Sequence, residues 1–167
     1  MSESTAVSVA KAVTQELASA TLSKPFVPER SYADWSQPLE REQVSDTDRL
    51  YVDIVPQATG MQVALDTRGT NEHRVVIDIA VRQRFGQEKQ DNDTGRIVID
   101  EVDALMLLVQ EIYELFMPQR LTDFEDAVWD PDQGTRILVA PLKRHLYELK
   151  QFTGIVRLTF IASQDHA

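Results

Sequence analysis

Two aspartates on either side of a proline are the first residues in this sequence whose spacing could support chemistry. Asp130 and Asp132 lie close enough along the chain to form the paired carboxylates that general acid–base catalysis uses. The same DPD triplet is typical of a turn, because proline fixes φ and aspartate bonds to nearby backbone. No serine stands in a G-x-S-x-G sequence, and no glycine-rich phosphate loop follows a predicted strand. We therefore interpret the triplet as a turn and expect neither a catalytic residue nor an enzyme.

The stretch DNDTGRIVIDE, residues 91–101, matches a calcium-binding loop in part. Asp91 and Asp93 fit the first and third ligand positions, and Val98 fits the apolar eighth position. Arg96 stands where the tight turn needs glycine, and Val102 stands where the bidentate glutamate should be. Without that glutamate the loop lacks its strongest oxygen donors, so we expect no calcium site.

The histidines also lack the spacing of a metal site. His73, His145 and His166 are far apart, none is spaced with another His, Asp or Glu as zinc ligands are, and the chain has no cysteine. We interpret them as ordinary surface or strand residues, and we expect neither a metal nor a cofactor. The absence of cysteine also excludes disulfides and fits a reducing compartment.

Length and charge favour one acidic domain over residues 1–167. Hydrophobic residues make up 43% of the chain, and 17 basic against 27 acidic residues give a net charge of −10. A chain this acidic has no general affinity for the nucleic-acid backbone. The longest apolar run, residues 104–109, is too short to span a bilayer, and the N-terminus does not have the pattern of a secretory signal.

Residues 100–117 are predicted to form the central helix of the core. Asp100 would cap it, with Asp103 in the acidic place of a capping box, and Pro118 would end it. Three leucines, Leu107, Leu108 and Leu115, would widen the buried face, so we expect the helix to be covered on more than one side. The apolar residues at helical spacing are Val102, Leu105, Met106, Val109, Ile112, Tyr113 and Phe116.

The remaining pattern predicts a first helix over residues 4–20 and a series of strands. Period-2 alternation marks strands at residues 49–55, 61–65 and 73–85, and further strands are predicted at 135–142 and 152–162. Residues 143–151 are interpreted as a connector and 163–167 as a flexible tail. This order predicts an α+β fold with a mainly antiparallel, possibly mixed sheet and two helices packed on one face.

Two stretches are candidate interaction surfaces. Residues 24–36, which we call the arm, contain two prolines that favour an edge strand, and they carry Phe26, Arg30, Tyr32 and Trp35. In the strand at 73–85, Arg82 and Arg84 alternate with the buried valines and isoleucines. They are therefore predicted to lie on a polar, outward face that either is solvated or contacts a partner.

With these residues in view, the chain resembles the tail terminator and neck proteins of tailed bacteriophages. The resemblance covers residues 9–162 as a pattern of segments. Those segments are PFVPERSY after a short helix, LYVDIVPQ, TRGTNEHRVVIDIAVRQRF, a polar loop, IDEVDALMLLVQEIYELF and FTGIVRLTFIA.

The resemblance implies a virion protein that forms a ring, usually of six copies, at the head-proximal end of the tail tube. Its partners would be itself, the tail tube protein and the connector or stopper on the head side, with DNA passing through the lumen without specific binding. It would assemble in the host cytoplasm and bind no membrane. Neither the family nor this sequence offers catalytic residues.

Other functions stay open at this stage. The chain could belong to another ring of the neck, a stopper or a connector, since its arm and its polar loop at 86–95 depart from the pattern. It could also be a non-viral α+β ligand-binding module, and a low-specificity enzyme ranks third.

Overall fold

A computed structural model describes residues 4–40, 49–57, 62–67, 70–117, 121, 127–131 and 133–165. Within these residues there are three α-helices, α1 (Thr5–Ser19), α2 (Ile99–Leu115) and α3 (Lys143–Leu149), and a 3₁₀ turn at Gln87–Lys89. The strands are β1 (Pro28–Arg30), β2 (Leu50–Pro56), β3 (Gln62–Thr67), β4 (Thr70–Arg84), β5 (Ala127–Trp129), β6 (Thr135–Val139) and β7 (Gln151–Asp165).

The strands form one sheet that is built on β4 and β7. These two strands pair antiparallel along their whole length, from Thr70 opposite Asp165 to Arg84 opposite Gln151. The sheet order is β1-β2-β4-β7-β5, with β3 beside β4 and β6 beside β7. Only the β1–β2 pair is parallel among the described strands. The predicted α+β class with a mainly antiparallel, mixed sheet is confirmed.

Helix α1 lies against the β1–β2–β4 side of the sheet. The Ser4 hydroxyl caps its first turn by accepting from the Val7 N–H at 3.3 Å. The helix buries a stripe of small and medium side chains: Val9, Ala10, Val13 and Leu17. The prediction of a helix over residues 4–20 is confirmed to within one residue at each end.

Helix α2 packs on the same face, over β7. A methyl group built on Gly154 would lie 2.9 Å from Cγ2 of Val109, so glycine at this strand position lets the helix approach closely. The buried side of α2 faces the core residues of β4 and β7 and consists of Leu105, Leu108, Val109, Ile112 and, just beyond the helix, Phe116. The expectation of two helices on one face is therefore confirmed.

Two details of the α2 prediction are wrong. Val98 occupies the N-cap and makes no side-chain cap, while Asp100 lies in the first turn, where its charge favours the helix dipole instead. Leu107 does not widen the buried face, because 49% of its surface is exposed. The helix ends at Leu115, and Pro118 lies outside the described residues.

Two further predictions fail at the C-terminal end of the chain. Residues 143–149 form helix α3 rather than an irregular connector. The final strand continues to Asp165, so residues 163–165 belong to β7 rather than to a flexible tail, and residues 166–167 lie outside the described part.

Leu107 and Leu108 form a matched pair for testing the core. Leu108→Ala should lower the free energy of unfolding by about 2–5 kcal/mol, because Leu108 is fully buried against the sheet. Leu107→Ala should change it by less than about 0.5 kcal/mol. Urea denaturation of both variants measures the difference, and equal losses would mean that the core face of α2 is misassigned.

Candidate interaction surfaces

The second face of the sheet carries a buried polar layer centred on Asp78. Its carboxylate is fully buried and accepts hydrogen bonds from Arg157 Nε at 2.7 Å and from Gln57 Nε2 at 2.8 Å. The Trp35 indole N–H donates to the same carboxylate at 3.0 Å. The bonds to Asp78 raise the pKa of Arg157 above its usual value, so the guanidinium stays charged. Asp78 therefore joins the arm to two strands.

Arg82 is not the surface residue that the alternation of β4 indicated. Only 2% of it is exposed, and its guanidinium donates to the carboxylate of Asp53, which is also buried. Arg84, two residues along the same strand, is half-buried. Arg82 thus contributes to folding, and the expectation that its charge is free for assembly is corrected.

His145 binds the segment at residues 36–39 where this segment crosses the polar layer. Its Nε2–H donates to the Ser36 carbonyl at 3.1 Å, and its Nδ1 accepts from the Thr153 hydroxyl at 2.8 Å. Beside it, the Gln151 Oε1 accepts from the Leu39 N–H at 3.0 Å. Burial lowers the pKa of His145. The histidine is a buried helix residue, contrary to its interpretation as a surface or strand residue, and it holds residues 36–39 against the sheet.

The arm is bound to its own sheet but exposes part of its length. Phe26 packs against the core, and Trp35 donates a hydrogen bond to Asp78. Both side chains are therefore used within the fold and are not available to another molecule. Val27 and Tyr32 are each 75% exposed, and Arg30 is exposed at the end of β1. Of the residues predicted for an interface, Arg30 and Tyr32 are therefore the ones that face outward from the arm.

A second exposed surface follows the outer side of α2, and we call it the α2 groove. It consists of two hollows that share Asp103, with volumes of about 580 and 480 Å³. The first hollow lies between the start of α2 and α3, and Val98, Ile99, Pro141 and Tyr147 are among its walls. The second hollow is lined by Asp103, Met106, Leu107, Gln110, Tyr113, Glu114 and Ile137.

Exposed apolar side chains are concentrated on these two surfaces. Of the ten large ones in the described part of the chain, five line the α2 groove and two lie on the arm. Ile99 is 73% exposed, Tyr147 59% and Leu107 49%. This concentration of exposed apolar side chains makes the two surfaces the candidate sites of interaction.

The arm and the α2 groove lie at opposite edges of the sheet. The arm includes β1, which ends the sheet on one side, whereas β6 borders the groove through Ile137 and pairs with β7 near the other side. Four strand spacings separate β1 from β6, which is about 19 Å. The chain therefore presents two different surfaces with exposed apolar side chains, one near each edge of the sheet.

Sequence reasoning identified the arm and missed the groove. The signal was in α2, whose apolar residues extend around more of the helix than one buried face needs, and the sequence predicted cover on more than one side without assigning an interface there. Ile99 and Leu107 lie outside the face that buries Leu108 and Ile112, so covering them would require another molecule or segment. The interface assignments themselves stay predictions.

The two acidic stretches weighed as chemical sites form turns. Asp91 Oδ1 accepts from the N–H of Asp93 at 2.8 Å and from that of Thr94 at 3.2 Å, which closes the loop before α2. Asp130 is fully buried and pairs with Arg74 at 2.8 Å, while Asp132 and His166 lie outside the described residues.

No family model matches this chain, and no curated protein matches its sequence. Over the described ranges, no group of three or more His, Asp or Glu side chains is placed to hold a metal ion. Across the same ranges, no helix has the length and apolar character needed to cross a membrane. The resemblance to phage neck proteins and the expectation of a non-enzyme stay predictions.

The Asp53–Arg82 pair should be essential for stability. Arg82→Met leaves the Asp53 carboxylate buried without its cation and should lower the free energy of unfolding by about 3–5 kcal/mol. Arg84→Met, on the same strand, should cost less than about 1 kcal/mol. Thermal and urea denaturation compare the two variants, and a small effect at Arg82 would contradict its burial.

The environment of His145 should make stability depend on pH. Its pKa is lowered in the folded chain, so below the unfolded value of 6.5 the unfolded chain binds more protons than the folded one. The free energy of unfolding should fall as the pH falls from 6.5 towards the folded pKa. His145→Gln should flatten this slope between pH 7 and pH 5 in urea denaturation, and an unchanged slope would rule out His145 as its source.

Proposed function

We propose that this protein is a structural subunit of a bacteriophage neck, a tail terminator that forms a homo-oligomeric ring on the head-proximal end of the tail tube. The observation that carries the proposal is the pair of different apolar patches at opposite edges of one sheet. A ring that closes by rotation needs a head-to-tail interface, in which each copy presents two unlike surfaces. The arm and the α2 groove satisfy that requirement.

The charge of the chain supports the same function. Six copies, the number the resemblance implies, would carry a total charge of about −60 from the −10 of each chain. An acidic ring would let DNA slide, because a chain with 27 acidic against 17 basic residues has no general affinity for the phosphate backbone. The proposed ring would therefore guide DNA without binding its sequence, and its protein partners would be the tail tube protein and the head-side connector or stopper.

The proposal predicts that the purified protein associates with itself. Native mass analysis and sedimentation should show one closed oligomer, six copies by the resemblance, at micromolar concentration. Mixed with a phage tail tube protein, the oligomer should bind tube ends in electron micrographs and limit tube length. A protein that stays monomeric both alone and with tube protein, and leaves tube length unchanged, would exclude this function.

A ligand-binding module is the second candidate, and the first hollow favours it. A volume of about 580 Å³ lies within the range of small-molecule sites, and its apolar walls carry both acidic groups, Asp91, Asp100 and Asp103, and basic groups, Arg96 and Lys150. A thermal-shift screen with small organic molecules of either charge separates the two functions. A rise in melting temperature with a monomeric protein would favour the module.

A further inference from the structure

We propose that the arm of one copy occupies the second hollow of the α2 groove of the next copy, with Arg30 paired to Asp103 and Tyr32 packed beside Leu107 and Ile137. This rests on the proposed function, in that the occupant is a second copy of this chain. It goes further by assigning the two surfaces that meet and the residues at their centre.

The residue types on the two surfaces correspond. Arg30 ends β1, and the Ser31 N–H donates to the Ile54 carbonyl at 3.0 Å. The Ser31 hydroxyl accepts from the Ala33 N–H at 3.0 Å, so the chain turns beyond the strand, and Arg30 and Tyr32 are exposed on either side of Ser31. On α2, Asp103 and Leu107 are one helical turn apart, at about 6 Å. A cation and an aromatic ring on the arm thus have a carboxylate and an apolar side chain as counterparts on α2.

The charges are complementary at the same points. The second hollow has the carboxylates of Asp103 and Glu114 at its rim, and no lysine or arginine is among its lining residues. Arg30 is exposed on the arm, and its guanidinium can bind a carboxylate through two parallel N–H bonds. Tyrosine and arginine are also the residues that most often dominate the energy of protein interfaces.

The arm of the same chain does not occupy this hollow. Its β1 residues pair with β2, and Trp35 is tied to Asp78 on the second face of the sheet. The groove lies about four strand spacings away, on the face that carries α1 and α2. An arm that fills the groove must therefore come from another copy.

Disulfide trapping tests this contact directly, because the chain has no cysteine of its own. A Tyr32→Cys variant and a Leu107→Cys variant, each alone, should stay largely uncrosslinked under mild oxidation. Mixed in equal amounts they should give crosslinked dimers, and the double variant should give a ladder of multimers up to the closed ring. Val128→Cys is the control partner for Tyr32→Cys, since Val128 is 41% exposed on β5 and lies outside both surfaces.

A charge exchange tests the pair at its centre. Arg30→Glu and Asp103→Arg should each weaken self-association about tenfold or more at low salt, and the two together should restore most of it. Arg144→Glu is the matched control, because Arg144 is 80% exposed and its ion pair is with Glu148 in the same helix. All three residues are on the surface, so thermal melts of the variants should match the wild type at a protein concentration low enough that all of them are monomeric.

The outcomes separate this proposal from the proposed function. Mixed crosslinks together with rescue by the charge exchange support the contact. A stable oligomer without mixed crosslinks and without sensitivity at Arg30 and Asp103 overturns the contact and leaves the ring intact. Crosslinked dimers from Tyr32→Cys alone mean that arm meets arm, which also overturns it. A protein that is monomeric in every measurement, alone and with tube protein, overturns both the contact and the proposed ring.

Discussion

The uninterrupted pairing of β4 with β7 is the constraint on which the rest of this structure depends. Fifteen consecutive residue pairs form a ribbon whose outer sides each accept two shorter strands, β2 and β3 beside β4, and β5 and β6 beside β7. One face of the ribbon is apolar enough to bury α1 and α2. The sheet edges then fall on β1 and near β6, which places the arm and the α2 groove apart.

The other face of this ribbon is polar and yet buried, and ion pairs make that possible. Asp53 with Arg82 and Asp78 with Arg157 place each carboxylate beside a guanidinium, since an unpaired buried charge would be strongly destabilising. Asp78 also accepts a hydrogen bond from Trp35 in the segment that crosses this face. The polar layer therefore fixes where the arm runs, which an apolar layer would do less specifically.

The periodicity of apolar residues predicted the helices and strands. It could not predict which distant segments pack on them. Val75, Ile77, Ile79 and Val81 were correctly assigned to the core from alternation alone. Arg82 was taken for a surface residue because the groups on this face of the sheet, its partner Asp53 and the crossing segments at residues 35–39 and α3, come from distant parts of the chain. Helix α3 was missed because seven residues give too few turns for a clear periodicity. Leu107 was expected to be buried because composition does not tell which side of α2 meets the sheet.

The anchoring of the arm at Phe26 and Trp35 has a thermodynamic consequence for any molecule that binds it. A free segment loses about 1–2 kcal/mol of backbone entropy per residue when a partner orders it. Here strand pairing and the hydrogen bond from Trp35 to Asp78 already order the arm when the chain folds, so binding does not lose this entropy again. Binding to Arg30 and Tyr32 would then involve a rigid surface, and its enthalpy and heat capacity would reflect contact area rather than a coupled folding transition.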